Sequence, residues 1–421
     1  MSWLTRYRTQ LYLQNSMWIF PAFGIVAGWA TLSLLARLDQ VMGWEMNISR
    51  DTARVVMGTV AASMFTLVVV VCSALLVAVQ LASAQLTPRI IAIIYRNNVR
   101  RFLIAVFAFT FTFSVCYLVR IETAVPLLTG YLAAYGFLVN LVLFLYFIEG
   151  MGKSLRPNSA LRVVALAGRE IIHTVYPHPL GKENLPANGS SAVFAGEPQL
   201  TVRNTDDGMV LAFDLKGLVS MAERSNCLIE LVPQVGDFVA EGDSLFRVFN
   251  GGKDLSEDTL RDSIALGQER TLDQDPMFAF RIMVDIAAKA LSPAINDPTT
   301  AVLALDQIHH LLQDVGGRYL ANGMETDSAG RLRLVYRTPN WEDFVSLAVT
   351  EIRQYGNTSM QVTRRLQAML EALIESLPEP RRPALELELN LLRSSADRAF
   401  IEPGDRLRAR VGDLQGVGGR T

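Results

Sequence analysis

Lysine is absent from the first 150 residues of this chain. Within them, charge of either sign is missing from four long stretches: residues 17–36, 55–88, 102–119 and 123–148. No comparable run lacks charge in the remaining 271 residues. A bilayer's hydrocarbon, about 30 Å thick, takes about 20 apolar residues in a helix, so each run is long enough to cross. Backbone groups in hydrocarbon have only one another to bond, which excludes every structure but a helix for these runs. The sequence therefore predicts an α-helical membrane region of four transmembrane helices, with a large soluble half after it. The first run is no secretory signal peptide, being too long and followed by no small-residue cleavage site.

Cysteine is scarce. Cys72, Cys116 and Cys227 are the only three, and they lie too far apart for a metal spacing or a disulfide framework. The first two read as small buried hydrophobes. Histidine, at four residues, is too rare for a His-rich metal site. A P-loop, a GxSxG elbow, HExxH, CxxC and GxGxxG are all missing, which removes the common signatures of nucleotide, hydrolase, metalloprotease, redox and dinucleotide chemistry. The expectation is a protein with no enzymatic activity, no cofactor and no bound metal. Nucleic acid is excluded as a partner on charge. Residues 1–150 carry ten arginines against five acids, but the soluble half carries 29 basic against 36 acidic residues and offers no basic footprint.

Arginine and lysine near span ends set orientation. Arg6 and Arg8 precede the first span, Arg89, Arg96, Arg100 and Arg101 separate the second from the third, and Lys153, Arg156, Arg162 and Arg169 follow the fourth. Both termini and the second loop are thus expected in the cytoplasm. A helix over 55–86 would be about 48 Å long, more than the core needs, so it should tilt or project. Pro88 ends it, and residues 90–101 read as an interfacial segment or a connecting turn. Thr59, Ser63, Thr66 and Ser73 fall close to one face of this span and are candidate pore-facing residues, or plain packing residues. Asn140 in the fourth span reads as helix–helix glue. No acid lies at mid-membrane, which leaves an ion-coupled carrier nothing to work with.

In the soluble half, residues 159–176 alternate as an amphipathic helix, and the prolines and glycines of 177–189 mark a linker. Short strands are predicted at 200–202, 209–213, 228–232 and 245–249. The Gly-Asp turns at Gly236 and Gly242 resemble the hammerhead half of biotinyl/lipoyl-like domains. Lys216 does not sit in a carrier tip, so this reads as a structural β-module without covalent cofactor. Residues 254–257 read as a capping box opening a helix to Leu266. Pro276 opens the next helix, to Leu291, whose stripe of Arg281, Asp285 and Lys289 is a candidate ligand or interface face. Pro293 stops that helix, and Asp297 before Pro298 starts another, buried through Leu305, Ile308, Leu312 and Val315. Ser292, Asn296, Asp297, Thr299 and Thr300 crowd this start as either a well-capped turn or a binding site. Asp306, His310 and Asp314 share a face that reads as an exposed polar stripe, or as a cation-binding face or a pH-sensing one through His310. A strand over 331–337, helices capped by Asn340 and Asn357, a last helix to Ser394 and a frayed tail from Gly404 complete the chain. The domains are 1–153 (transmembrane), 154–191 (amphipathic helix and linker), 192–252 (β-module), 253–403 (helical α+β) and 404–421 (tail).

Leu291-Ser-Pro-Ala-Ile-Asn-Asp-Pro-Thr-Thr-Ala301 carries a resemblance to a bacterial family of predicted membrane proteins, domain of unknown function 2254. Glu269-Arg-Thr before Gln274-Asp-Pro276, and Gln354-Tyr-Gly356 before Arg364-Arg-Leu366, support it over nearly the whole chain. The resemblance implies a multi-pass protein of the bacterial cytoplasmic (inner) membrane and implies no reaction. Two functions follow as expectations. One is a homo-oligomeric, channel-like protein whose spans surround a path, with a cytoplasmic α+β region below it. The other is a membrane-anchored sensor or scaffold binding a soluble ligand or protein.

Overall fold

The computed structural model describes residues 2–43, 48–89, 98–120, 127–154, 156–181 and 196–419. The interfacial segment expected over 90–101 falls largely, and most of the 177–189 linker falls, outside the described residues. The chain divides into two compact units, residues 11–159 and residues 1–10 with 160–421.

The first unit holds four helices long and apolar enough to cross a membrane, α2 (Ile19–Met42), α3 (Arg50–Gln85), α4 (Asn98–Arg120) and α5 (Leu127–Ser154); a short α1 (Trp3–Asn15) is divided between the two units at Gln10. Their apolar surfaces face outward, as with Val26, Leu34, Val56, Leu76 and Val142, which suits helices solvated by lipid. α2 and α4 touch backbone to backbone: a Cβ at Gly24 would overlap the Ala105 carbonyl, and one at Gly28 would come 2.7 Å from the Phe109 carbonyl. Gly24 and Gly28 form a small-xxx-small stripe, and the close approach exists because neither carries a side chain. α3, at 36 residues, is about 54 Å long. Asp39, buried near the end of α2, accepts from the Leu128 and Thr129 amides (3.1 and 3.2 Å) and from the Thr129 hydroxyl (2.6 Å). It thereby satisfies amides that the first turn of α5 cannot bond itself.

The second unit has helix α6 (Pro157–Val175), two small sheets and a helical layer. The strands are β1 (Leu200–Arg203), β2 (Gly208–Phe213), β3 (Leu228–Leu231), β4 (Phe238–Val239), β5 (Ser244–Phe249), β6 (Ile264–Gly267), β7 (Met324–Thr326) and β8 (Leu332–Tyr336). One sheet runs β1-β5-β3-β8-β7, with β3 and β8 parallel, and the other runs β4-β2-β6. Strands from both sides of Gly252 therefore share each sheet, and the hydrogen bonds of the β-module extend beyond the stretch 192–252. Val202, Phe246, Val248, Leu260 and Leu334 close one core across that line. Lys216 lies in the first turn of helix α7 (Leu215–Arg224), which Asp214 caps.

Four expectations are corrected. The helix expected from 254 to Leu266 is only α8 (Glu257–Arg261), because Ile264 and Ala265 bury their side chains by pairing with Phe213 and Ala212 as a strand. The cap before the next-to-last long helix is Ser359, accepting from the Val362 amide, rather than Asn357. The tail does not fray: after helices α11 (Trp341–Tyr355), α12 (Met360–Ser376) and α13 (Arg382–Ala399), a short α14 (Pro403–Ala409) leads into a stretch pinned to α12. The remaining helices, α9 (Pro276–Ala290) and α10 (Pro298–Gly316), end and begin where proline and the Asp caps place them. Cys72 also differs from expectation, being exposed on α3.

Candidate functional site

The residues that mark this sequence as distinctive hold the second unit together. Asp275 caps α9 by accepting from the Phe278 amide (3.1 Å) and is clamped by Arg270 (2.7 Å). Burial pushes the Asp275 carboxyl above its usual range against the downward pull of Arg270. Gln274 acts as a surrogate strand: its amide accepts from the Phe213 N–H (3.1 Å) and donates to the Phe213 carbonyl (3.2 Å).

Between α9 and α10 the chain reverses in a tight turn. Asn296 takes φ +48°, a value Asn tolerates better than most residues, and the Asp297 amide donates back to the Ala290 carbonyl at 2.7 Å. Asp297 accepts from the Thr300 amide (3.1 Å) and hydroxyl (2.5 Å), and Ser292 donates to the Lys289 carbonyl (2.7 Å). Asn296 and Thr299 are exposed, while Thr300 is buried. The candidate cluster is brought together as a capped connection whose polar atoms serve one another. The stripe on α9 is also committed: Arg281 pairs with Asp285 and makes a two-point contact to Glu351 on α11 (2.5 and 2.8 Å), which holds that carboxyl below its usual range.

The polar stripe on α10 is likewise engaged. Asp306 accepts from Arg365 (2.7 Å), and Asp314 accepts from Arg169 (3.1 Å) and contacts His173 (2.9 Å), tying α6 to α10. Among the described residues no group of three or more His, Cys, Asp or Glu side chains is placed to hold a metal ion.

The concave feature of this unit lies elsewhere. A cleft of about 910 Å³ opens between the C-terminal ends of β3 and β8 at Glu230, Leu231, Val335 and Tyr336, the segment Tyr319–Asn322, and the start of α11. Its apolar wall includes Leu231, Leu320 and Met324, and its polar groups include Asn322, Arg337, Glu342 and Asp343. Trp341 closes the floor, only 2% exposed, with its indole N–H donating to the Arg381 carbonyl (2.8 Å) and the Arg381 guanidinium stacked 5.3 Å over its ring. Asn340 and Asp343 cap α11 reciprocally, so the cleft faces a helix start where the Asn340 and Asp343 amides are already bonded. Burial raises the Tyr336 phenol, with Glu325 adding to the effect, so it stays a neutral donor to Glu325 (3.3 Å). A shallower depression of about 500 Å³, lined by Met277, Ser346, Thr350 and Glu351, shares Gln234, Arg337, Pro339 and Asp343 with the cleft. None of these cleft residues stands out in the sequence, because they are gathered from segments up to 200 residues apart.

In the membrane unit Thr59, Thr66 and Ser73 are exposed on the surface of α3 and Ser63 is half-buried. The Thr59 and Thr66 hydroxyls donate to their own helix, at Val55 (2.9 Å) and Ala62 (3.0 Å). Asn140 is fully buried and donates to Thr110 (2.7 Å) and Gly136 (2.6 Å), joining α4 to α5 as interhelical glue. Gly24, Gly28 and Asp39 are the structurally decisive residues that the sequence reading passed over. The glycine spacing in an apolar run is the signal that marks the first two.

A family model described as a predicted membrane protein, DUF2254, matches residues 14–372. The chain is also similar to the uncharacterized protein Rv1290c of Mycobacterium tuberculosis and the uncharacterized protein Mb1321c of Mycobacterium bovis. Each is 27% identical over 416 residues, covering 94% of this chain and 79% of the relative. No solved structure matches.

Proposed function

Because the chain belongs to the DUF2254 family of predicted membrane proteins, we propose that it is a membrane-anchored binding protein without enzymatic activity. Its four apolar helices fix it in the bacterial inner membrane with both termini in the cytoplasm. Its soluble unit takes a small organic ligand in the cleft at the start of α11. The observation that carries this reading is the cleft itself. Its volume of about 910 Å³ falls in the range of ligand sites, and its lining sets Leu231, Leu320 and Met324 beside at least as many polar groups, among them Gln234, Asn322 and Glu342. Arg337, Glu342 and Asp343 supply both signs of charge, which suits a ligand with an apolar body and a zwitterionic or polar end.

A thermal-shift screen of the detergent-extracted full chain against a metabolite set tests it. A ligand that binds the folded state raises Tm by mass action, and Ala321→Trp, filling the cleft, should abolish that rise. A ligand that stabilises the Ala321→Trp protein equally would place binding elsewhere, and a screen with no stabilising compound would remove the reading.

A second reading, a homo-oligomeric channel, is favoured by one observation: Thr59, Thr66 and Ser73 lie on the outer surface of α3, where another copy could meet them. A path lined by such small polar groups could gate by wetting. Their back-bonded hydroxyls are equally at ease in lipid, which is why this reading stands second. Current through planar bilayers under voltage, reduced by Thr66→Leu, would bring it to the front, and electrically silent folded protein would end it.

A further inference from the structure

The last residues of the described chain are held tightly and yet present apolar side chains to solvent. Asp413, 1% exposed, accepts from the Gln415, Gly416 and Gly418 amides (3.0, 3.1 and 2.8 Å). Arg364 of α12 donates to the Val411 and Gly419 carbonyls (3.0 and 2.8 Å), and Gln361 donates to the Gly416 carbonyl (2.6 Å). This pinned stretch, α14 and the residues just before it expose Ile401 (80%), Leu407 (69%), Val411 (50%), Leu414 (76%) and Val417 (68%). A segment that merely ended the chain would have no reason to be fixed with these side chains outward. Fixing them beforehand removes most of the ordering cost of a contact.

We propose that this C-terminal surface is a self-association face that pairs with the same surface of a second copy of the chain. Two observations select that occupant. The charges around the apolar residues are of both signs and largely neutralise one another. Arg408 pairs with Asp405 (3.4 Å), Arg410 pairs with Asp397 (2.6 Å), and Arg406 donates to the Phe400 and Ile401 carbonyls. Such a rim has little pull toward an anionic lipid surface, which rewards unpaired lysine and arginine. With its charges paired within the chain, the patch sets no like-charge repulsion against an identical patch in a two-fold interface. The area also fits. Five side chains of this size, half or more exposed, present on the order of 300–400 Å² of apolar surface. That is an adequate apolar centre for an interface hiding about 800 Å² per partner.

Cysteine cross-linking of the full chain in lipid nanodiscs and in detergent tests it, with Cys72→Ala removing the exposed native thiol. Leu414→Cys should give a cross-linked dimer under mild oxidant, several-fold above Ser328→Cys on the exposed β7–β8 hairpin. Adding Leu407→Glu and Val417→Glu should return the yield to that control without lowering Tm, since both side chains are exposed in the single chain. Equal yields at 414 and 328, or no dimer from either Leu414→Cys or Leu407→Cys, would overturn the proposal. A lipid-facing or intramolecularly covered surface would give that second result.

Discussion

Asp297 accepts two hydrogen bonds at the start of α10, from the amide and the hydroxyl of a buried threonine. Asp297→Ala removes both acceptors and should cost about 1–2 kcal/mol, read as a lower denaturation midpoint. Unchanged stability with lost ligand binding would instead make the carboxylate a ligand contact. His309 supplies a pH test in the same helix. Burial first, then Arg365 and His310, hold its imidazole down at about 4. An unfolded histidine titrates near 6.5. Between pH 6.5 and 4 the unfolded chain therefore binds the extra proton, so stability is full above 6.5 and falls as the pH drops through this window. His309→Gln should flatten the stability profile there, and a slope unchanged by the substitution would count against this cause. The Asp297 cap and the identity of the buried α10 residues were legible from the sequence. The state of His309 was not, because Arg365 reaches it from a helix more than fifty residues away.

At the scale of elements, apolar runs, periodicity and caps placed the four long apolar helices and α6, α9, α10, α11, α12 and α13, but not α1 or α7. They failed at residues 254–266, where a short polar start resembled a longer helix and the partner strand β2, fifty residues earlier, claimed Ile264 and Ala265. They failed again at the tail, whose polar and glycine-rich composition reads as frayed. The buried Asp413 gathers three amides there, and α12 supplies the donors. Two substitutions test the contacts between elements. Gln274→Ala leaves the Phe213 N–H and carbonyl without partners, and a loss of about 1–3 kcal/mol is expected from chemical denaturation. Gly24→Leu puts a side chain where the Ala105 carbonyl lies, so α2 must move off α4. The detergent-extracted variant should lose thermal stability by several degrees, and an unchanged Tm would mean that the two helices do not depend on that approach.

At the scale of the whole molecule, the arginine distribution carries the topology. A reporter fused after Met151 or at the C-terminus should register the cytoplasm, and one inserted near Glu45 should register the outside. Labelling of a cysteine at Asn188 from outside intact cells would overturn that orientation. The sequence by itself determined that four helices are apolar enough to span a membrane, that the region after them mixes short strands with amphipathic helices, and where most of the long helices begin. Those properties depend on residues adjacent along the chain: runs without charge, a 3.6-residue period, an Asp before a Pro. Only the tertiary structure decided that β3 pairs with β8 a hundred residues later, that Arg281 is spent on Glu351, and that a cleft opens at the start of α11. It also decided that the tail is pinned with its apolar side chains outward. Each of these depends on which distant groups meet. Burial and pairing energies settle that between surfaces, and no local pattern encodes them.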